Sequence, residues 1–351
     1  ALVWAWVAWM PIAFLDPEYP AWLAKEQMLA QCDLGRILVV GDSRAAVDIE
    51  PAVLPVPVTN LAVGGGEAIE AFTAVRRALR CGKPPQLVIV SIDAAHFVLP
   101  DLFWERSVGF GWLTHRDVDR LARISRRLHD LSIYGMKRSD GLSPRLRAGL
   151  YALRFPSLYF ASLVHGGVLL RWDRNRHTLA RTRASRGQYF YGTADGSSVV
   201  AAEGHLSRFA PLPVLDWYFD RMLAMLAARG IPVEFVSMPM NDATWEAVQP
   251  DVRAGFIAYL DHYRAKYRNF HVVGDTFPHW PNRMFGDEFL HLNPAGAALF
   301  TAIFADWLDG TEMIAAAAPP AVAQFHRAAA PPDESFDHLP LRVTLPVIVR
   351  H

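Results

Sequence analysis

Arg36-Ile37-Leu38-Val39-Val40-Gly41-Asp42-Ser43-Arg44 is the stretch whose reading decides the fold. Four aliphatic residues in a row, stopped by Gly41, read as a short strand buried on both faces, as the strands of a parallel sheet are. Working outward, Val56 to Val63 is a second such run, stopped by Gly64-Gly65-Gly66, and Gln86 to Ile92 is a third. Between them, Glu67 to Arg80 carries Ala68, Phe72, Val75 and Leu79 at helical spacing. The alternation resumes with a helix from Pro213 to Arg229 stopped by Gly230, a strand from Pro232 to Val236, a helix from Asp251 to Arg268 and a strand from Phe270 to Val273. Asn293 then caps a helix with Pro294 at its first turn, running to about Leu308 with Leu299, Ile303 and Leu308 on one side. The expected class is α/β, with a five-stranded, mainly parallel sheet covered by helices on both faces.

The 351 residues suffice for one catalytic domain with an insertion. Residues 97–212, between the third and fourth strands, form that insertion. Two helices are expected in it, Asp117 to Leu131 and Pro144 to Leu153, followed by a Gly/Ser/Arg-rich stretch from Arg181 to Ser198. Thirty-five basic residues balance thirty-five acidic ones, so the whole chain has no nucleic-acid signature. The balance conceals a bias: Asp101 to Tyr189 holds seventeen Lys/Arg against seven Asp/Glu. That region is either a set of solvated helical faces or a surface for something anionic.

Residues 1–15 are uncharged and include Trp4, Trp6 and Trp9, a composition suited to a bilayer interface but too short to span one. They read as a truncated membrane anchor or signal remnant, with a buried helix as the alternative. Residues 16–310 form the catalytic domain, and residues 311–351 an Ala/Pro-rich tail in which Leu339 to Val349 could add an edge strand. With only Cys32 and Cys81, a cysteine-built zinc site is excluded. No cofactor or metal is called for.

Three elements that could carry chemistry fall at the carboxyl ends of the strands, where an open α/β sheet presents its ligand crevice. Ser43 follows the first strand at a helix start, whose N–H groups and dipole favour a developing oxyanion. Gly64 and Gly65 follow the second and bring backbone donors close to a bound group. His291 precedes the last helix with Asp287 and Glu288 just upstream, either of which could hold the imidazole by its other nitrogen. Singly, these read as a capped turn, a loop and a structural histidine; together they describe a nucleophile, an oxyanion hole and a base.

The set Gly41-Asp42-Ser43, Asn60-Leu61-Ala62-Val63-Gly64-Gly65 and His291-Leu292-Asn293-Pro294-Ala295-Gly296-Ala297 resembles the SGNH hydrolase superfamily. Within it the chain is most similar to membrane-anchored proteins on the outer face of the bacterial membrane: those of alginate and cellulose O-acetylation, and the D-alanyl transfer protein of teichoic acids. The likeness covers Arg36 to Ile92 and Ile231 to Leu308. It implies a flavodoxin-like three-layer fold with a helical insertion between strands 3 and 4. It also implies that Ser43 is the nucleophile and His291 its base, with the N–H groups of Ser43 and Gly65 as oxyanion donors.

Two departures from the family pattern stand out. Its Asp three residues before the histidine is Glu288 here, with Asp287 one position earlier; Asp287 is the better placed, since Glu288 would have to fold back. Its oxyanion Asn after the third strand is replaced by Asp93, which cannot donate when ionised. Asn241, after the fourth strand, is a candidate substitute, although a turn is its plainer role. The implied strand order also brings Cys32 and Cys81 together at the far end of the sheet, so a disulfide and an oxidising periplasm are expected.

The function implied is transfer of an acyl group, expected to be acetyl, to an exported polysaccharide acceptor through an acyl-serine. A membrane-bound O-acyltransferase would deliver the acyl donor, and the N-terminus would hold the protein to the membrane in the cell envelope. An SGNH esterase that deacylates a carbohydrate or lipid ester is the first alternative, and a non-catalytic carbohydrate-binding scaffold the second.

Overall fold

A computed structural model describes residues 2–13, 15–100, 102–133, 146–147, 149–150 and 168–309. Its main sheet contains β1 (Ile37–Gly41), β2 (Val58–Asn60), β3 (Leu87–Ser91), β4 (Val233–Val236) and, further along the chain, β6 (Phe270–Val273), in the order β2-β1-β3-β4-β6 and parallel throughout. Two short strands, β5 (Met240–Asn241) and β7 (His279–Trp280), make a separate parallel pair. All five strands expected from the sequence are present. The second is shorter than its apolar run because the chain leaves regular pairing after Asn60, although Leu61 and Val63 still donate to Val39 and Gly41 of β1.

The order reverses at β1, so right-handed crossovers put the helix after β1 and the helix after β2 on opposite faces. The packing agrees with this three-layer α/β arrangement. Helix Ala68–Ala78 lies against helix Pro213–Ala227 on one face, and helix Ser43–Asp48 against helix Pro294–Asp309 on the other. Every residue of β1 and β3 is buried, as a central strand covered twice must be. The reversal leaves a crevice outside the carboxyl ends of β1 and β3, where Ser43 and Asp93 stand.

Several expectations are corrected. The helix read from Asp117 runs His115–Arg127, started by a reciprocal cap between Thr114 and Asp117. In the last helix, Leu299 and Ile303 are exposed; Ala297, Phe300, Phe304 and Leu308 form the buried face, a stripe with larger side chains to bury. Helices Tyr19–Gln31 and Val168–Ala184, unforeseen, pack on each other. The first hides its apolar pattern behind a buried Lys25, and the second is rich in arginine. The described parts of the insertion are built into the main core, with Trp112 edge-on to Trp22.

Residues Leu2–Trp9 form a short helix, and among the described residues no helix is long and apolar enough to cross a membrane. Most of the expected Pro144 to Leu153 helix and the whole 311–351 tail lie outside the described residues. Cys32 and Cys81 form a disulfide, with Cα atoms 5.6 Å apart, ahead of β1 and β3 at the end of the sheet away from the crevice.

Candidate functional site

Ser43 opens the helix Ser43–Asp48, and its N–H has no intrahelical acceptor. Asp42 is the cap: its Oδ1 accepts from the N–H groups of Arg44 (3.0 Å) and Ala45 (3.4 Å), and its Oδ2 from Asp93 N–H (2.8 Å). This ties the serine turn to the end of β3. The glycine loop meets the same turn, because Gly66 packs so closely on the Gly41 carbonyl that a Cβ would lie 2.2 Å from its oxygen. Gly65 has φ +65° in the tight turn closed by Gly66 N–H to Val63 O (2.9 Å), a backbone that favours glycine. The N–H groups of Ser43 and Gly65 donate to no described acceptor.

On the third loop, Asp287 Oδ2 lies 2.6 Å from His291 Nδ1, while its Oδ1 accepts from the N–H groups of Phe289 (2.9 Å) and His291 (3.2 Å). Leu290 adopts φ +63° between them, a left-handed residue that turns the chain back on itself. Burial alone would raise the Asp287 carboxyl; its hydrogen bond and charge interaction with His291 hold it below the ordinary value. Glu288 is exposed, so of the two acids Asp287 is the one on the ring. The loop docks on the serine helix through Leu292 N–H to Asp48 Oδ1 (3.2 Å), and Thr301 Oγ1 donates to Asp48 O (3.2 Å). Asn293 caps the following helix as expected, its Oδ1 accepting from Gly296 N–H at 3.0 Å.

His291 is 3% exposed, and its Nε2 has no hydrogen-bond partner among the described residues. Among the described residues no hydrogen bond joins Ser43 Oγ to His291.

Residues that sequence reasoning missed complete this wall. Tyr191 stacks on His291, with ring centroids 4.4 Å apart. Its hydroxyl lies 3.3 Å from Glu18 Oε2, and Glu18 Oε1 pairs with Arg106 Nη2 at 2.7 Å. Gly64 touches both Glu18 and Tyr191. Burial raises the Glu18 carboxyl, with Arg106 opposing. Arg106 stands on a π-helical turn, Trp104–Val108, a distortion that often marks functional sites. Lys25 donates to Ala62 O just before the glycine loop, and burial lowers its amine to about 7, partly offset by Glu18. No local periodicity announces Glu18 or Tyr191; the π-turn and the glycine contact are visible only in three dimensions.

Two expected oxyanion or substrate groups have other work. Asn241 is buried and caps helix Asp242–Ala247 through Thr244 N–H (2.8 Å), while both its amide hydrogens go to carbonyls, of Ser197 (2.9 Å) and Val199 (3.0 Å). It therefore has no donor left for an oxyanion. Asp93 accepts from His96 N–H (2.9 Å), lies 2.7 Å from His96 Nδ1 and pairs with Arg44 at 3.3 Å. Burial would raise its carboxyl, but His96 and Arg44 together pull it well below the ordinary value. Asp42, Asp93 and His96 could share a cation, with ligand atoms within 4.8 Å. Arg44, buried and also paired with Glu203, already brings positive charge to Asp93.

Comparison of the chain with protein-family models, curated proteins and solved structures found no match.

Proposed function

We propose that this chain is an SGNH-type serine O-acyltransferase of the cell envelope, passing an acetyl or similar acyl group to an exported polysaccharide. The observation that carries the reading is the Asp287–His291 pair, held at 2.6 Å with Nε2 unspent, on a loop docked to the helix that Ser43 begins. Ser43 Oγ attacks the donor's acyl carbon and gives its proton to His291 Nε2, while Asp287 stabilises the imidazolium. The N–H groups of Ser43 and Gly65 receive the oxyanion. Collapse breaks the bond to the donor's leaving group, which takes the proton from His291. An acceptor hydroxyl then gives its proton to His291 and attacks the acyl-serine; the ester bond to Ser43 Oγ breaks, and Oγ takes the proton back from His291. Closure of the Ser43–His291 gap on substrate binding is part of this scheme.

The disulfide fits an oxidising compartment, and the tryptophan-bearing N-terminus fits attachment at a membrane surface. A membrane-bound acyltransferase supplying the donor is the partner this scheme requires. The test is the intact mass of the protein after exposure to 4-nitrophenyl acetate and to a fluorophosphonate. One acyl or phosphonyl adduct is expected, absent in Ser43→Ala; an unmodified wild-type protein defeats the reading. Release of the acyl group to water alone, with no transfer to any sugar hydroxyl, identifies an esterase.

The unpartnered His291 Nε2 favours one other reading, a carbohydrate-binding scaffold with an idle triad. Glycan binding by a protein that resists both reagents would identify it.

A further inference from the structure

A groove lies along the helix layer, apart from Ser43 and His291. It measures about 750 Å³ and is lined by Phe72, Trp217 and Met225 with Arg120, Arg127, Arg221 and Arg229. Its one acid, Asp220, is already engaged by Lys266 Nζ at 2.6 Å and by Tyr267 OH at 2.8 Å. Arg127 stands over the Trp217 ring at 5.8 Å, and neither Arg127 nor Arg221 forms an ion pair among the described residues. The groove follows helix Pro213–Ala227 from Trp217 to just past its end, roughly 18 Å at about 1.5 Å per residue. Its near end, at Phe72, is only about 6 Å of helix rise beyond Ala68, where the glycine loop ends.

We propose that this groove binds an anionic polysaccharide, one bearing carboxylate, sulfate or phosphate groups on its sugars. Guanidinium forks match carboxylate and oxyanion groups two bonds at a time, and a recessed aromatic face receives the apolar side of a sugar ring. The length of the groove suits an extended polymer rather than a single ion. A lipid surface fits less well: among the described residues, none of the exposed large apolar side chains, such as Trp6, Trp9, Leu99 or Leu102, lines the groove. A nucleic acid also fits less well, since the chain has zero net charge and lacks the long-range field of such binders. The inference deepens the proposed transfer reaction, on which it rests for the polymer's role as acceptor; the binding itself stands apart from Ser43 chemistry.

The test uses the full chain and titrates oligogalacturonate against dextran oligosaccharides of matched length. Oligogalacturonate is expected to bind and to weaken steeply with salt, while dextran does not bind. In Arg127→Gln/Arg221→Gln the affinity should fall roughly tenfold or more. Both side chains are exposed, so the fold should persist; Arg221→Glu, which reverses one charge, gives a second check. Unchanged affinity in these variants overturns the proposal. So does tighter binding to phosphatidylglycerol vesicles or to single-stranded oligonucleotides than to oligogalacturonate. Fluorophosphonate labelling of Ser43 should be equal in wild type and variants. Its absence in both would defeat the acyl-transfer reading while leaving the groove's ligand to be judged by the titration.

Discussion

Tyr191 lies against His291 with the two rings 20° from parallel and their centroids 4.4 Å apart. The stack fixes the imidazole plane that Asp287 holds by one edge, so ring and carboxylate together set where Nε2 points. A stacked aromatic pair contributes about 1 kcal/mol beyond its burial. Tyr191→Ala should therefore slow acylation of Ser43 by roughly fivefold, while Tyr191→Phe, which keeps the ring and loses only the Glu18 contact, should stay within about twofold. Equal losses in the two variants would rule out the stack as the cause. Rates of fluorophosphonate labelling measure both.

Asp287 and Glu288 should differ sharply. Asp287→Asn leaves the ring without its carboxylate and is expected to slow acylation by roughly a thousandfold or more, whereas Glu288→Gln, on an exposed side chain, should change it less than about twofold. The Asp287 carboxyl is depressed in the fold. Its contribution to stability is therefore present above its unfolded pKa of about 3.9 and lost as pH falls through the lower folded value. The stability gap between wild type and Asp287→Asn should narrow below pH 4 in urea titrations.

Lys25 predicts a pH dependence of opposite origin. Its amine is lowered from 10.5 to about 7 by burial, so between these values the folded state holds fewer protons than the unfolded one. Stability should rise with pH across that window. Lys25→Met loses the bond to Ala62 O as a constant offset and should lose the slope. Urea midpoints at pH 7 and pH 9 measure this; the same rise in both proteins would exonerate the lysine.

The Cys32–Cys81 disulfide closes a loop of 49 residues. Removing it with Cys32→Ser/Cys81→Ser should cost about 2 to 4 kcal/mol, mostly by freeing the unfolded chain. A thermal midpoint unaffected by the substitutions or by reductant would contradict this.

Arg44 neutralises two buried acids at the foot of the serine helix, Asp93 and Glu203. Arg44→Met leaves Glu203 without its cation and Asp93 with His96 alone, and should destabilise by about 3 to 5 kcal/mol. Arg44→Met/Glu203→Gln should recover part of that loss, which chemical denaturation would register; no recovery would mean the pair is not the cause.

The sheet was legible in the chain itself, because a strand buried on both faces has to be a short apolar run, Gly41 and Gly64 end two of those runs, and Gly230 ends the helix before a third. The places of Ser43, His291 and Asp287 were legible for the same reason, each standing just beyond a recognisable strand or before a capped helix. The helix phase that exposes Leu299 and buries Phe300 was not, since several stripes are apolar and only the neighbouring surface selects one. Nor were Glu18, Arg106 and Tyr191, or the engagement of Asp93 and Asn241. A buried charge is tolerable only beside its partner, and those partners are far off in the chain, as Arg44 and Glu203 are at 159 residues' separation. Local periodicity records which segments must hide from water; which polar groups they hide together is settled only when the chain closes on itself.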